Sequence, residues 1–467
     1  MEAGVSSGRA LGLNLRATIC AIVSTCLIAI LIGVSRANAQ KTYQFAPAAP
    51  RQPTGDLVDS RFAATATLLP NGQVLIAGGV ASENSYTASA ELYDPNTGAF
   101  MRTGSLSSGR AYHTATLLKD GRVLIAGGIG VDGQPVASAE IYDPSSGKFS
   151  VTGTMLQARY NLAATLLPNG KVLMTGGDTT ALTTTNTATA ELYDPATGSF
   201  TGGGNVTRFY DPSTDKFYYR GKMLAVHGKH TATLLQDGNV LIAGGGDATG
   251  TAQAATEVYD SASGKFVPAG PMNFARQQHR ATLLANGSVL ITGGVDDHGQ
   301  VLATAELFNP ATRKFTLTTV AFPANGTNMS QGRYEHTAAL LPNGQVLIAG
   351  GGGGNGTSNT AELYDPSRGT FTCIGGKNSI GTQCAGSMND YRSDAVDTLL
   401  PNSEVLIAGG YNFHLGTAHN LAAAQEITGG ASVPFNVLWT AEVYNPTAGR
   451  FVSTVSIAHA HFGAATH

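Results

Sequence analysis

Charge, tryptophan and cysteine are all scarce in this chain of 467 residues: Asp, Glu, Lys and Arg together make 13%, Trp occurs once and Cys four times. Scattered charge with a net of −3 leaves no basic stripe or acidic tail, which excludes the electrostatic footprint of a nucleic-acid binder. Apolar residues do not recur at three-to-four spacing, so helices are not expected. No Ser-His-Asp order, zinc motif, phosphate loop or dinucleotide fingerprint is present. What the chain has in excess is glycine, 59 residues, and much of it is periodic.

Glycine doublets fall at Gly78-Gly79, Gly127-Gly128, Gly176-Gly177, Gly244-Gly245, Gly293-Gly294, Gly350-Gly351 and Gly409-Gly410, at spacings of 49, 49, 68, 49, 57 and 59. Each is answered by a Glu-x-aromatic pair: Glu91 with Tyr93, Glu140 with Tyr142, Glu191 with Tyr193, Glu257 with Tyr259, Glu306 with Phe308, Glu362 with Tyr364 and Glu442 with Tyr444. Seven copies of one unit are therefore present. A unit of this size cannot bury both faces alone, so the copies must stack.

Residues 111–153 show the unit's local chemistry. Ala111 to Leu118 reads as a first strand, and Asp120-Gly121 as a hairpin turn supplying positive φ angles. Arg122 to Gly128 is a second strand whose Val-Leu-Ile-Ala run lacks polar alternation, as expected of a sheet covered on both faces. Ser138 to Tyr142 is a third strand. Asp143-Pro144-Ser145-Ser146-Gly147 turns the chain and Lys148-Phe149 opens a fourth. Four-stranded antiparallel sheets repeated around an axis make an all-β fold, a seven-bladed β-propeller.

The double glycine, the aromatics Tyr142 and Phe149, and Arg110 with His113 resemble kelch repeats, and the resemblance spans residues 61–456. It implies a kelch-type propeller. One departure is the outer-strand aromatic, often tryptophan in kelch proteins and phenylalanine here at Phe100, Phe149, Phe266, Phe315, Phe371 and Phe451.

The first forty residues stand outside the ring. Arg9 and Arg16 precede an uncharged stretch from Ala17 to Val34, and Ala37-Asn38-Ala39 has the small-x-small pattern of a signal-peptidase site. Residues 1–39 read as a signal peptide, 40–60 as an N-terminal segment and 457–467 as a tail. Secretion or a periplasmic location follows, with membrane attachment only if the segment stays uncleaved. Cleavage leaves Cys373 and Cys384, which suit one disulfide; a cysteine serving as a metal ligand is the alternative. Tyr43 to Pro47 resembles a fourth strand and is expected beside the last blade.

In an antiparallel meander, the turns after the first and third strands share one rim and the other connections share the opposite one. Asn-Gly and Asp-Pro turns keep the first rim short. Insertions at 316–332, 372–391 and 411–438 fall on the second, whereas that at 202–223 duplicates a hairpin. Long loops on one face of a rigid ring are where binding concentrates.

That rim also receives the start of each first strand: Arg61, Arg110, Arg159, Arg276, Arg333 and Arg392, with Lys229 in the fourth copy. Arginines at this position in kelch domains that bind acidic peptides line the pocket, so the resemblance implies a cationic collar of ligand contacts. The alternative is that each arginine braces its blade against the repeated glutamates. His113, His230, His279 and His336 recur once per blade, which suits packing better than metal binding. The repeated glutamates suit carboxylates buried against backbone N–H groups.

Residues that do not repeat cannot be explained by a packing rule. Tyr112, Tyr160, Tyr334, Glu335 and Tyr391 flank the collar, and His414, His419 and Trp439 mark the longest insertion. Such a mouth suits a sugar or an acidic small molecule. The reading that follows is a monomeric binding module for a protein or glycan, without cofactor or resident metal. Two enzyme alternatives come from resemblance: a sugar-acid epimerase using Glu335 or His336, and a galactose-oxidase-like copper enzyme in which Tyr112-His113 would supply ligands.

Overall fold

Packing of the repeated units is seen directly in a computed structural model, which describes residues 55–81, 85–180, 185–203, 205–211, 216–318, 328–354, 356–375, 384, 388–412 and 436–453. The signal-peptide reading, the strand expected at 43–47, the C-terminal tail, His414, His419 and most of the three rim insertions lie outside these residues. The described residues contain no helix. Seven of their antiparallel sheets, six of four strands and one of six, are the blades of a seven-bladed β-propeller, and three two-stranded ribbons lie beside them.

Blade two, taken from the inside out, consists of Thr114–Leu117, Val123–Ala126, Ser138–Asp143 and Lys148–Thr154. Only the glycine of its Asp120-Gly121 turn is left-handed, with φ 86°. The hairpin is therefore a right-handed turn closed by a glycine bulge rather than a turn with two positive φ angles. Asp120 stabilises it by accepting the Arg122 backbone N–H at 3.1 Å.

The second strand of every blade is wholly buried, because each of its faces packs on a neighbouring blade. Leu75 and Ala77 of blade one share a cluster with Val123, Ile125 and Tyr142 of blade two. The same arrangement joins blade seven to blade one through Leu406, Ala408, Val74 and Ile76. Each large side chain buried in this way contributes about 1.5–3 kcal/mol. The core is thus a series of inter-blade layers, each also holding a ring pair such as Tyr142 and Phe149, with centroids 4.8 Å apart. Phe200 completes the outer-strand set in blade three, 4.9 Å from Tyr193.

A ladder of backbone bonds closes the circle. The N–H of the second glycine in each doublet donates to the carbonyl at the start of the next blade's first strand, from Gly79 to Arg110 through to Gly410 to Arg61, at 2.8–2.9 Å. This approach requires glycine. At Gly128 φ is 103° and a Cβ would lie 2.6 Å from the Ala111 carbonyl oxygen. Blade seven draws all four strands from its own unit, ending with Arg450–Ser453.

Blade three carries the duplicated hairpin. Asn205–Asp211 pairs with Lys216–Lys222, which in turn pairs with Thr189 and Ala190 beside the normal fourth strand Ser199–Gly202.

Candidate functional site

Arginine chemistry decides which side chains can reach the channel mouth. Arg61, Arg110, Arg159, Arg276, Arg333 and Arg392 are at most 2% exposed. In each, one Nη donates to the glutamate of its own unit at 2.6–3.0 Å. The other Nη donates to the first carbonyl of the glycine doublet at 2.6–3.2 Å. The glutamates also accept from the segment entering the blade; Glu191, for example, takes the N–H groups of Leu156 and Gln157. The expected cationic collar is therefore an internal brace, with its charge neutralised by burial against carboxylates. Blade four corrects the expectation further: His227, not Lys229, occupies the arginine position, with Nδ1 on the Gly244 carbonyl and Nε2 on Glu257.

Two residues beyond each brace the chain turns left-handed. Ala63, Tyr112, Asn161, Lys229, Gln278, Glu335 and Asp394 all have φ between 50° and 56°. No glycine relieves this strained geometry, and all seven residue types differ. The N–H of Tyr112 donates to the carbonyl of Ala63, and the same bond passes on through Asn161, Lys229, Gln278 and Glu335 to Asp394, at 3.0–3.4 Å. A backbone girdle thus holds one different side chain from every blade at the mouth.

On one side of the girdle lies an acidic and aromatic cluster. Glu335 accepts from the Tyr411 hydroxyl at 3.1 Å, from Ser393 Oγ at 3.4 Å and from the Gln278 side-chain amide. Burial and the neighbouring Glu335 charge raise the Asp394 pKa to about 7, against a partial opposing pull from Arg280. Burial followed by the charges of Asp394 and Glu335 pushes the Tyr112 phenol well above its ordinary value. Tyr334 lies across Gly352, where any Cβ would collide with its ring. The Tyr112 and Tyr160 rings meet edge-on with centroids 6.4 Å apart, and Phe62 meets Tyr411 likewise at 5.2 Å.

Across the girdle, Asn161 donates to Asp178 at 2.8 Å. Burial raises the Asp178 pKa, while Lys229 and Asn161 hold it down. Deeper in, Arg280 and Asp397 replace the threonine, alanine or valine of the other inner strands. Arg280 Nε donates to the His336 carbonyl at 2.6 Å, and its charge opposes the burial that raises Asp397.

Of the expected contacts, Tyr112, Tyr160 and Tyr334 come together at the mouth with Glu335. Tyr391 is exposed on the segment entering blade seven. Tyr411, Tyr86, Asp178 and Asp394 were not singled out from the sequence; for Asp394 there was a readable signal, because the residue two beyond each brace differs in every copy. The histidines lie between blades: Nε2 of His113, His230, His279 and His336 meets a threonine hydroxyl at 2.8–3.1 Å. His336 is fully buried, which removes it as a proton shuttle. Cys373 and Cys384 form the expected disulfide.

Residues 110–156 match the Kelch motif family, and the ring is of the kelch type. Among solved structures, the chain is similar to a fungal alcohol oxidase of the AA5 family in complex with copper. Identity is 17% over 76% of this chain and 71% of that one, with a TM-score of 0.56. It is also similar to YjhT, at 15% identity over 68% of this chain and 98% of that one, with a TM-score of 0.49. No curated protein matches the sequence. At these identities the likeness is one of fold.

Copper held by that neighbour invites a test of Tyr112-His113 as ligands, and the residues do not fit. Tyr112 is at the mouth, whereas the His113 ring is enclosed between Gly78 and Thr65. Among the described residues, the His, Cys and carboxylate groups that approach one another in threes are Glu362 with the disulfide sulfurs and Asp296-Asp297-His298 on a blade-five loop, and neither includes Tyr112 or His113.

Proposed function

We propose that this chain is an exported carbohydrate-binding module whose ligand sits on the axial mouth framed by Glu335, Asp394, Tyr112, Tyr334 and Tyr411. The observation that carries the reading is the Glu335 carboxylate, held at the axis by donors from two other blades, Gln278 on one side and Ser393 and Tyr411 on the other. A fixed carboxylate beside tyrosine rings and the Asn161 and Gln278 amides can accept paired sugar hydroxyls while a ring stacks on the apolar face. With the arginines withdrawn into the blades, the three carboxylates Glu335, Asp394 and Asp178 disfavour the acidic ligand that a cationic collar would have taken. The disulfide supports export, since such bonds persist in oxidising compartments.

A glycan array tests this reading. The native protein is expected to be retained on a defined glycan class, and Glu335→Gln and Tyr411→Phe to lose that retention while remaining folded. Retention of no glycan, or equal retention of both variants, would overturn it in favour of a protein partner.

The raised Asp394 pKa beside Glu335 favours a second reading, an epimerase-like exchange of sugar anomers. A buried carboxyl that exchanges its proton near neutrality, set beside a second carboxyl group, is equipped for acid–base work. Glu335 would take the proton of the anomeric hydroxyl while Asp394 protonates the ring oxygen. The bond from C1 to the ring oxygen breaks, the aldehyde forms, and reversal on the other face restores both protons. Exchange between N-acetylmannosamine anomers, followed by NMR, should slow in Glu335→Gln; an unchanged rate refutes this reading.

A further inference from the structure

A groove of about 870 Å³ lies at the seam of blades seven and one, within the size range of small-ligand sites. Its blade-seven wall carries Asn412, Asn436 and Trp439, the sole tryptophan of the chain. Its blade-one wall carries Tyr86 and the ion pair of Asp59 with Arg102, whose Oδ1 and Nη2 are 2.6 Å apart. The Trp439 side chain is 47% exposed, although its main-chain carbonyl is fixed by the Leu57 N–H at 2.8 Å. An indole face bordered by two amides and an ion pair offers stacking and hydrogen bonding together, the combination that a sugar ring requires.

The groove and the axial mouth share an apolar platform. Tyr86 and Val437 line it, and the same two residues pack with Tyr112 and Tyr411 on the apolar platform of Phe62, Ala63, Val80 and Ala111. Nothing at the axis itself requires this outer aromatic wall for a single ring.

We infer that the ligand is an oligosaccharide, with one unit over Glu335 and Asp394 and the following units extending across Tyr86 to Trp439. This inference rests on the carbohydrate reading of the mouth and names the length of chain it takes. Linking two subsites makes the second contact intramolecular, so affinity rises with chain length without any new contact at the axis.

Because Trp439 is the only tryptophan, its fluorescence reports occupancy of the groove. For the glycan class retained on the array, the monosaccharide and the hexasaccharide are titrated into the native protein. The hexasaccharide is expected to bind at least roughly tenfold more tightly and to shift the tryptophan emission, and the monosaccharide to bind without a shift. Trp439→Ala should reduce the affinity for the hexasaccharide to that for the monosaccharide, while leaving monosaccharide binding and the thermal midpoint unchanged. Trp439→Phe should restore most of the difference, and Tyr86→Ala should lose part of it. Equal affinity for both lengths, or undiminished hexasaccharide binding by Trp439→Ala, would overturn the inference and leave the axial site standing. Absence of retention on any glycan would instead overturn the carbohydrate reading itself.

Discussion

Tyr411, from the end of the second strand in blade seven, places its hydroxyl 3.1 Å from the Glu335 carboxylate at the entrance to blade six. The contact joins two residues 76 positions apart, and neither belongs to the repeated pattern. It shows how the ring assembles a site: uniform backbone at every blade entrance, and a side chain peculiar to each blade.

Charge at Glu335 controls the proton on Asp394. Burial and Glu335 together raise the Asp394 pKa to about 7, so the group is largely neutral in mildly acid solution and ionises through neutrality. Glu335→Gln removes the repulsion and should move the titration toward lower pH; Arg280→Met removes an opposing cation and should move it higher. Infrared difference spectra of the carboxyl band across pH 4–9 check both directions. An unmoved transition in Glu335→Gln would show that the two groups are not coupled.

Arg110 and Glu140 are both about 2% exposed and meet at 3.0 Å. Arg110→Met leaves Glu140 buried without its cation and should cost about 3–5 kcal/mol, whereas the double variant Arg110→Met with Glu140→Gln should cost less than the sum of the single changes. Urea denaturation of the four proteins measures the cycle. Additive losses would mean that the pair is not a brace.

The inter-blade histidines make the ring sensitive to acid. Burial, reinforced by nearby arginines, lowers the pKa of His113 and His279 from 6.5 to about 3, and burial lowers His230 and His336 as well. The unfolded chain binds these protons below pH 6.5 and the folded chain does not. The stability contributed by His113 and His279 is therefore complete above about pH 6.5 and falls toward pH 3, by about 1.4 kcal/mol per pH unit for each of the two. His113→Gln should flatten the dependence of the urea midpoint on pH by one proton, and an unchanged slope would contradict the assignment.

Joining Cys373 to Cys384, 11 positions apart, stabilises the ring by about 3 kcal/mol in the loop-entropy model. Cys373→Ser with Cys384→Ser should lower the thermal midpoint, and dithiothreitol should do the same to the native protein. An unchanged midpoint in both would place the bridge outside the cooperative unit.

Reading the sequence located the blades because their determinants are local: a turn glycine, a buried Val-Leu-Ile-Ala run and a Glu-x-Tyr pair recur in register. It also paired the cysteines and offered bracing as one role for the arginines. The mouth was harder to read because Arg110 and Tyr112 are only two positions apart, yet one points inward and the other borders the axis. The left-handed turn at Tyr112 has no glycine to announce it. Asp394 and Asp178 become neighbours of Glu335 and Lys229 only once seven entrances close around one axis. His227 was missed for a related reason, since the fourth blade keeps the brace while changing its chemistry.

The most direct measurement is a crystal structure with the hexasaccharide of the array-selected class. The account predicts density for one sugar unit above Glu335 and Asp394 and for a further unit against Trp439. Density among the short Asn-Gly turns of the opposite rim, or contacts to Arg110 and its counterparts in an opened brace, would contradict it.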